Sequence, residues 1–187
     1  MIELFRKYVP WKILAHYMRN PNTSFHIKQI ARIIKVSPAS VSSAVKSFES
    51  EGLLLKEEKG LAHIYRLNAD NSFIISLKKA YGIALLSSSK HGEKFLEADP
   101  SIISLALFGS YAQGSFDEKS DIDFLVVTPT RKENLIKAAK RIEEELEKEV
   151  NLSVFKLSEW RSMAKKGDAF YKRIVENHIL LYGSGLK

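Results

Sequence analysis

The chain has 187 residues, of which 45% are hydrophobic and 27% are charged, and its formal net charge is +7. This composition excludes a disordered tail and suffices for one ordinary domain or two small ones. The absence of cysteine excludes disulfide frameworks, thiolate zinc sites, iron–sulfur clusters and cysteine nucleophiles, so any metal would bind to oxygen or imidazole.

The positive charge lies almost entirely in the first third of the chain. Residues before Asn68 include 11 basic and 5 acidic side chains, net +6, against 18 and 17 in the remainder, net +1. This asymmetry favours an anionic partner such as a nucleic acid for the first third. A basic surface that serves only solubility is the alternative. No apolar run reaches the ~18 residues of a membrane span, so we expect a cytoplasmic protein without a membrane partner.

Two helices are predicted in the first 34 residues. Apolar residues recur at helical spacing from Glu3 to Arg19, and the breaker Asn20-Pro21-Asn22 ends this helix. Pro10 is expected to bend or divide it. A second helical pattern covers Ile27 to Ile34.

A third helix and a hairpin follow. Ser37 as N-cap and Pro38 at the first helical position predict a helix that runs to Glu51, and Gly52 is its usual C-terminal residue. The second and third helices lie across a tight turn and so predict a helix-turn-helix. A wing is predicted after this helix. Its strands are Leu53–Leu55 and Leu61–Leu67, and its turn is Lys56–Gly60.

This pattern is carried by the segment IKQIARIIKVSPASVSSAVKSFESEGLLLKEEKG, and residues 1–68 resemble the winged helix-turn-helix domains of prokaryotic transcriptional regulators. The resemblance implies binding to double-stranded DNA. Small hydroxyl side chains on the third helix suit a close approach to the major groove, and lysines can neutralise phosphates. The assigned DNA contacts are Ser40, Ser42, Ser43 and Lys46, with Lys35, Lys56 and Lys59 as further phosphate contacts. The alternative is a protein-interaction or dimerisation module whose serines form only a solvated face.

Residues 69–90 are predicted to form a connecting helix. The polar cluster from Asn68 to Ser72 can cap it, and apolar residues recur at helical spacing from Phe73 to Leu85. Such a stripe can pack two domains together or form a homodimer. A short helix from His91 to Ala98 follows, and Asp99-Pro100 ends it.

A pair of acids follows a glycine-containing turn between two predicted strands. The strands cover Ser101–Phe108 and Ser120–Val127, and residues 109–115 form the turn and a short helix. Because side chains alternate along a strand, Asp121 and Asp123 project from one face, about 6.6 Å apart. Uncompensated acids are costly among the apolar neighbours of this strand, and a shared divalent cation is the natural compensation.

The turn before these acids suits a phosphate. Gly109 lets the backbone approach a ligand closely, and Ser110 adds a hydroxyl donor at the start of a helix. The alternative is that these two residues form only a turn and that the acids only cap the end of a strand.

The segment LFGSYAQGSFDEKSDIDFLVV resembles the signature of minimal nucleotidyltransferases of the DNA polymerase beta superfamily, and the resemblance covers residues 91–187. It implies an α/β (α+β) domain with a small mixed sheet flanked by helices. The family also includes antitoxin-like proteins that modify a partner toxin. A toxin-like protein acceptor is therefore a further hypothesis.

The resemblance also implies roles for particular residues. Gly109 and Ser110 would hold the β and γ phosphates of a nucleoside triphosphate, with ATP as the first candidate. Ser120 is assigned to the same nucleotide site. Asp121 and Asp123 would be the catalytic ligands of Mg²⁺, with two ions expected and one as the alternative.

The remaining elements are predicted from periodicity. They are a charged helix at Arg131–Glu149, a strand at Asn151–Leu157, a helix at Glu159–Lys165 capped by Ser158, and a final strand at His178–Tyr182.

One departure from the family concerns a third acid. Family members that transfer efficiently carry this acid on the later strand. In this chain, Asn151 and Ser153 lie on the face of that strand that can meet the first two acids, and neither is an acid. Asparagine ligates Mg²⁺ weakly and cannot act as a general base. Glu149, Glu159 or Asp168 are candidate substitutes. The sequence thus predicts a nucleotidyltransferase coupled to a DNA-binding winged helix, or alternatively a DNA-binding regulator whose degenerate transferase domain senses a nucleotide.

Overall fold

The computed structural model describes residues 7–59, 62–88, 91–130 and 132–187, and the side chains of residues 58, 59, 62, 87 and 88 are not described. The predictions that concern Glu3 to Arg6, the Lys59 side chain, Gly60 and Arg131 lie outside the described residues. None of the described helices has both the length and the apolar character that a bilayer crossing requires.

The described residues form three helices, a pair of strands and two further helices, after which strands and helices largely alternate. The helices are α1 Val9–Arg19, α2 Ile27–Ile34, α3 Pro38–Ser50, α4 Ser72–Ser88, α5 His91–Ala98, α6 Gly109–Gln113, α7 Glu133–Leu146, α8 Leu157–Lys166 and α9 Ala169–Glu176. The strands are β1 Leu54–Lys59, β2 Ala62–Leu67, β3 Ser104–Phe108, β4 Ile122–Val127, β5 Val150–Phe155 and β6 Ile179–Gly183. The chain forms two compact units. The first ends at Tyr81 and includes Ser115–Lys119, and the second comprises Gly82–Gly114 and Ser120–Lys187.

Helices α1, α2 and α3 pack around an apolar core in the first unit. Its fully buried side chains include Ile13, Tyr17, Ile30, Val41 and Val45. The Ser37 hydroxyl caps α3 by accepting a hydrogen bond from the Ser40 amide at 3.2 Å, as predicted. Pro10 lies in the first turn of α1, where its missing amide hydrogen has no helical partner to lose. Because Glu3 to Arg6 lie outside the described residues, the expectation that Pro10 bends or divides a helix from Glu3 to Arg19 stays a prediction.

Strands β1 and β2 form an antiparallel hairpin after these helices. β1 extends to Lys59, so most of residues 56–60 belong to a strand and not to the predicted turn. Arg66 accounts for part of the difference, because its guanidinium donates across the hairpin to the Glu57 carboxylate at 2.5 Å. The Ser24 hydroxyl donates to the same carboxylate at 3.2 Å. Such partners stabilise a charged residue in a strand that its propensity alone disfavours.

The segment Ser115–Lys119 belongs to the first unit through its contacts. The buried Lys78 ammonium donates to the Phe116 carbonyl oxygen at 2.5 Å and lies 4.7 Å from the centroid of the Phe116 ring. The Thr23 hydroxyl donates to the Glu118 carboxylate at 2.9 Å. In the sequence this segment lies between the glycine turn and the two aspartates, so the first unit holds the middle of that motif.

A four-stranded mixed sheet with the order β5-β4-β3-β6 forms the centre of the second unit. β3 is antiparallel to β4 and β6, whereas β4 is parallel to β5. On one face, α5 packs on the sheet with the Phe95 and Phe124 rings 5.1 Å apart, and α7 lies beside it. On the other face, Leu125 packs in a cluster with Trp160 of α8 and Ile174 of α9. The predicted small mixed sheet flanked by helices is confirmed.

The last two helices differ from the prediction. Ser158 lies inside α8, which begins at Leu157, and so does not cap it. No pattern predicted α9. Gly167, with φ +65°, ends α8, and the Asp168 carboxylate caps α9 by accepting two amide hydrogen bonds at 2.8 and 3.1 Å. Because only these two residues separate the helices, their apolar patterns merge in the sequence.

Candidate nucleotide site

Asp121 and Asp123 lie together at the start of β4. Asp121 directly precedes the strand, and Asp123 is its second residue. The Asn151 amide nitrogen donates to both carboxylates, at 3.3 Å to Oδ2 of Asp121 and 3.2 Å to Oδ1 of Asp123. Ile122 and Phe124, which alternate with the acids, are fully buried. Both acids therefore lie on one side of the strand, as the alternation predicts.

Gly109 lies against the second aspartate. Phe108, the last residue of β3, is paired with Asp123 across the antiparallel ladder, so the chain turns beside that carboxylate. Gly109 has φ +68°, and a Cβ there would stand 2.0 Å from Oδ2 of Asp123. Both the left-handed backbone and the space that the carboxylate occupies therefore require glycine.

The Asp123 carboxylate is only partly compensated by the protein. Burial raises the pKa of this carboxyl above its ordinary value, and the charge of Asp121 raises it further. The Asn151 hydrogen bond and the positive charge of Arg173 lower the pKa without cancelling that rise. A cation bound beside the pair would favour the charged form of Asp123 and so lower this pKa.

The donor set fits a hard divalent cation. Carboxylate oxygens are the ligands that Mg²⁺ prefers in proteins, and Asp121 and Asp123 supply them side by side. The Asn151 amide, turned by 180°, would present its oxygen to the same ion. Across the described ranges no group of three His, Asp or Glu residues converges on a metal position. Water and the phosphates of a substrate would have to complete the coordination, as is usual for Mg²⁺.

Asn151 occupies the place expected for the third acid. In the parallel register of β4 and β5 it lies opposite Asp123, whereas Ser153 lies opposite Leu125. Of the two positions considered from the sequence, Asn151 is therefore the one that reaches the acid pair.

The three substitute acids are engaged in other contacts or exposed to solvent. The Glu159 carboxylate accepts from the Lys156 amide at 2.8 Å, at the start of α8. Asp168 is occupied in capping α9. The Glu149 side chain is exposed, and its carbonyl oxygen accepts from the Ile122 amide at 2.9 Å. None of them takes the position that Asn151 fills.

The other nucleotide residues predicted from the sequence adjoin this group. Ser110 is the second residue of α6, directly after Gly109, and is half-buried. Ser120 directly precedes Asp121, and its carbonyl oxygen accepts from Nζ of Lys148 at 3.5 Å. The second unit thus brings all five predicted residues to one end of β3 and β4.

Sequence reasoning missed Arg173, which lies in α9. Its positive charge acts on the Asp123 carboxylate. Phe170 and Ile174, spaced i and i+4 after the cap residue Asp168, are a signal that could have identified the helix. Nothing in the sequence indicates that this helix lies near the aspartates.

The predicted DNA contacts lie on α3 in the first unit. Ser40, Ser43 and Lys46 are exposed and follow one another at three-residue spacing, so they share one face of the helix. The Ser40 hydroxyl also lies 2.8 Å from the Ser37 hydroxyl, within the cap. Ser42 is half-buried and lies away from this face.

Several solved structures resemble the chain over about half of its length. A toxin–antitoxin with AMP-PNP is 26% identical, with 51% of this chain and 73% of that chain covered and a TM-score of 0.40. A mutant of the toxin–antitoxin MntA-HpeT is 23% identical, with 49% and 69% covered and a TM-score of 0.38. A tri-AMPylated Shewanella oneidensis HEPN toxin in complex with MNT antitoxin is 20% identical, with 59% and 73% covered and a TM-score of 0.33.

The comparison with protein families concerns the region that contains the acid pair. No curated protein matches the chain. The sequence profile of the nucleotidyltransferase domain matches residues 88–181, which is half of the chain. Gly109, Asp121 and Asp123 all lie inside this match and in contact with one another or with Asn151. The chain therefore belongs to the nucleotidyltransferase domain family.

Proposed function

We propose that the chain transfers a nucleoside monophosphate from a nucleoside triphosphate to an acceptor hydroxyl, with ATP as the first candidate donor. The observation that carries the proposal is the Asp123 carboxylate held against the Gly109 backbone, with Asp121 and Asn151 beside it. This arrangement sets a backbone that a phosphate can approach closely next to two oxygen ligands for a cation.

Each residue of the site has a role in this proposal. Gly109 and Ser110 bind the β and γ phosphates, and Ser120 completes the nucleotide site. Asp121 and Asp123 hold Mg²⁺, as one ion or two, which when bound neutralises charge on the triphosphate and on the transferring phosphorus. The acceptor oxygen forms a bond to the α-phosphorus, the bond from that phosphorus to its bridging oxygen breaks, and pyrophosphate leaves.

The proton of the acceptor hydroxyl has no protein base in this site. Asn151 stands where a carboxylate would accept it, and an amide cannot do so. The proton passes to water, and transfer is slow. The same residue supports the second candidate function, in which a DNA-binding regulator senses a nucleotide through a transferase domain that does not turn it over.

Magnesium-dependent nucleotide binding tests the site assignment. We expect the wild-type protein to bind ATP only with Mg²⁺ or Mn²⁺, and Asp121→Ala or Asp123→Ala to weaken this binding by about 10²-fold or more, because each removes a ligand. Isothermal titration calorimetry with and without the cation measures both effects.

The charge change needs a control in that experiment. Removing a carboxylate also removes repulsion from the triphosphate, so each variant is titrated without metal as well. Unchanged magnesium-dependent affinity in both variants would contradict the assignment.

Turnover is tested by labelling. The protein is incubated with α-labelled nucleoside triphosphates, Mg²⁺ and a cell extract, and labelled macromolecules are separated. A labelled product identifies the acceptor, and a labelled protein would support the hypothesis of a toxin-like protein acceptor. Nucleotide binding without any labelled product favours the sensor.

We propose three domains for the chain: a winged helix-turn-helix in residues 1–68 that binds double-stranded DNA, a connecting helix in 69–90 and the transferase domain in 91–187. The winged helix is supported by the order of three helices and a hairpin, and DNA binding by the exposed face of Ser40, Ser43 and Lys46 on α3. A homodimer through α4 is a further proposal, supported by Phe73 and Ile75, which are 57% and 40% exposed.

Salt dependence tests the DNA proposal. The full-length protein is expected to bind duplex with an affinity that falls steeply between low and physiological salt, because bound lysines release counterions. Lys46→Ala should reduce the slope of log affinity against log salt by about one unit. Fluorescence anisotropy with a labelled duplex measures the slope. If the folded protein does not bind duplex at low salt, the first unit is an interaction module.

A further inference from the structure

We propose that the guanidinium of Arg173 binds phosphate oxygens of the nucleoside triphosphate at the Asp121–Asp123 pair. This inference rests on the proposed function and deepens it, because it adds a phosphate-binding residue from α9. It makes the last helix of the second unit a part of the substrate site.

Two contacts place α9 over the part of the sheet that carries the acids. The Phe170 ring packs edge-on against the Phe108 ring, with their centroids 5.9 Å apart. Phe108 is the residue paired with Asp123 across β3 and β4. Ile174, only 1% exposed, packs in the cluster that contains Leu125, two residues after Asp123.

The Arg173 side chain is held between these two anchors. It lies one helical turn after Phe170, and its guanidinium carbon is 5.6 Å from the centroid of the Phe170 ring. This cation–π contact orients a planar group that is otherwise exposed. Arg173 makes no ion pair with any carboxylate in the described part of the chain.

The charge balance of the site explains what such a cation would do. Asp121 and Asp123 together carry two negative charges, and a nucleoside triphosphate brings about four more. Gly109 and Ser110 contribute neutral donors only, so the phosphates need positive charge from elsewhere in addition to the metal. A guanidinium offers paired donors in a fixed plane, which matches phosphate geometry. The packing of Phe170 on Phe108, the strand partner of Asp123, places α9 on the part of the sheet that carries the acids.

Arg173 could instead serve only the helix, because a cation in the last turn of a helix is favourable without any ligand. Lys172 separates the two roles. It is also exposed in α9 and carries the same charge, but its Nζ lies beside Gly167, at 3.2 Å from the position of a Cβ built there. A general electrostatic effect of positive charge on α9 would be shared by both residues. A helix-end effect of Arg173 would change thermal unfolding and not the binding of phosphate.

The test compares variants of the full-length protein by calorimetry with Mg²⁺ and three probes: a non-hydrolysable ATP analogue, inorganic tripolyphosphate and adenosine. We expect Arg173→Ala to weaken binding of the ATP analogue and of tripolyphosphate by about tenfold each, and to leave adenosine binding unchanged. Arg173→Lys should lose less than Arg173→Gln, which has no charge. Lys172→Ala should bind like wild type.

Other outcomes overturn the inference. If Arg173→Ala binds both phosphate probes like wild type, or if Lys172→Ala loses as much, Arg173 has no specific phosphate role. An equal loss for adenosine would indicate a structural effect. Thermal unfolding checks that each variant folds. Should Arg173→Ala fail to fold, the test is whether Arg173→Lys binds the two phosphate probes more tightly than Arg173→Gln, and equal affinities would overturn the inference. If the wild-type protein does not bind the ATP analogue with Mg²⁺, the proposed function itself is overturned. If the wild-type protein binds the analogue and the Arg173 variants bind it equally well, only the inference about Arg173 is overturned.

Discussion

The Asn151→Asp variant is expected to transfer nucleotide about 10² to 10⁴ times faster than wild type, which is the usual contribution of a positioned base. Its carboxylate would stand opposite Asp123 in the β4–β5 register, where the amide now donates to both acids. It would add an anionic ligand for Mg²⁺ and a group that accepts the proton of the acceptor hydroxyl. Nucleotide affinity should change little, because the gain belongs to the transition state.

Ser153→Asp is the matched control for this experiment. It places the same carboxylate on the same strand, but opposite Leu125 and two residues away from the acid pair. Single-turnover rates are measured for both variants with the acceptor that labelling identifies. If wild type is already fast and Asn151→Asp is slower, another group completes the site. If wild type and both variants transfer no nucleotide while all three bind it, the sensor function is favoured.

Gly109→Ala is expected to reduce both nucleotide binding and transfer by about 10²-fold, the cost of a catalytic group displaced by about 1 Å. The added methyl group would stand 2.0 Å from Oδ2 of Asp123, so the carboxylate would have to move away from the turn at Gly109. The residue also has φ +68°, which costs a non-glycine residue about 1 kcal/mol. Calorimetry with the magnesium complex of ATP and thermal unfolding measure the two effects.

Gly52→Ala separates the two causes. Gly52 has nearly the same backbone angle, φ +71°, but a Cβ there meets nothing within 4 Å. It should therefore show the loss of stability without the loss of nucleotide binding. If Gly109→Ala binds nucleotide as Gly52→Ala does, the contact between Gly109 and Asp123 does not hold the carboxylate in its working position.

The strand that carries the acid pair and the turn beside it were predictable from the sequence, because their signals are local. Alternation along β4 placed Asp121 and Asp123 on one side, and the glycine turn before them indicated a close approach of the backbone. What the glycine approaches is the Asp123 carboxylate itself. That contact depends on the register of β3 against β4, which no local pattern contains.

Other parts of the site depended on tertiary structure in the same way. The choice between Asn151 and Ser153 required the register of the parallel pair β4 and β5, because both residues point to the same side of their strand. The role of Arg173 required α9, whose pattern merged with that of α8 across Gly167 and Asp168. Outside the site, Arg66 and Ser24 contact Glu57 from distant positions in the sequence and so favour the strand at residues 56–59.

The placement of Ser115–Lys119 limits how this protein can be divided or recombined. These residues form half of the ten-residue spacer between Ser110 and Asp121, yet their partners include Thr23 and Lys78. Exchange of the first unit for an unrelated module would leave the ring of Phe116, now 1% exposed, uncovered in the middle of the transferase motif. A gene fusion at a single junction therefore leaves Ser115–Lys119 without these contacts unless the incoming module supplies equivalents of Thr23 and Lys78.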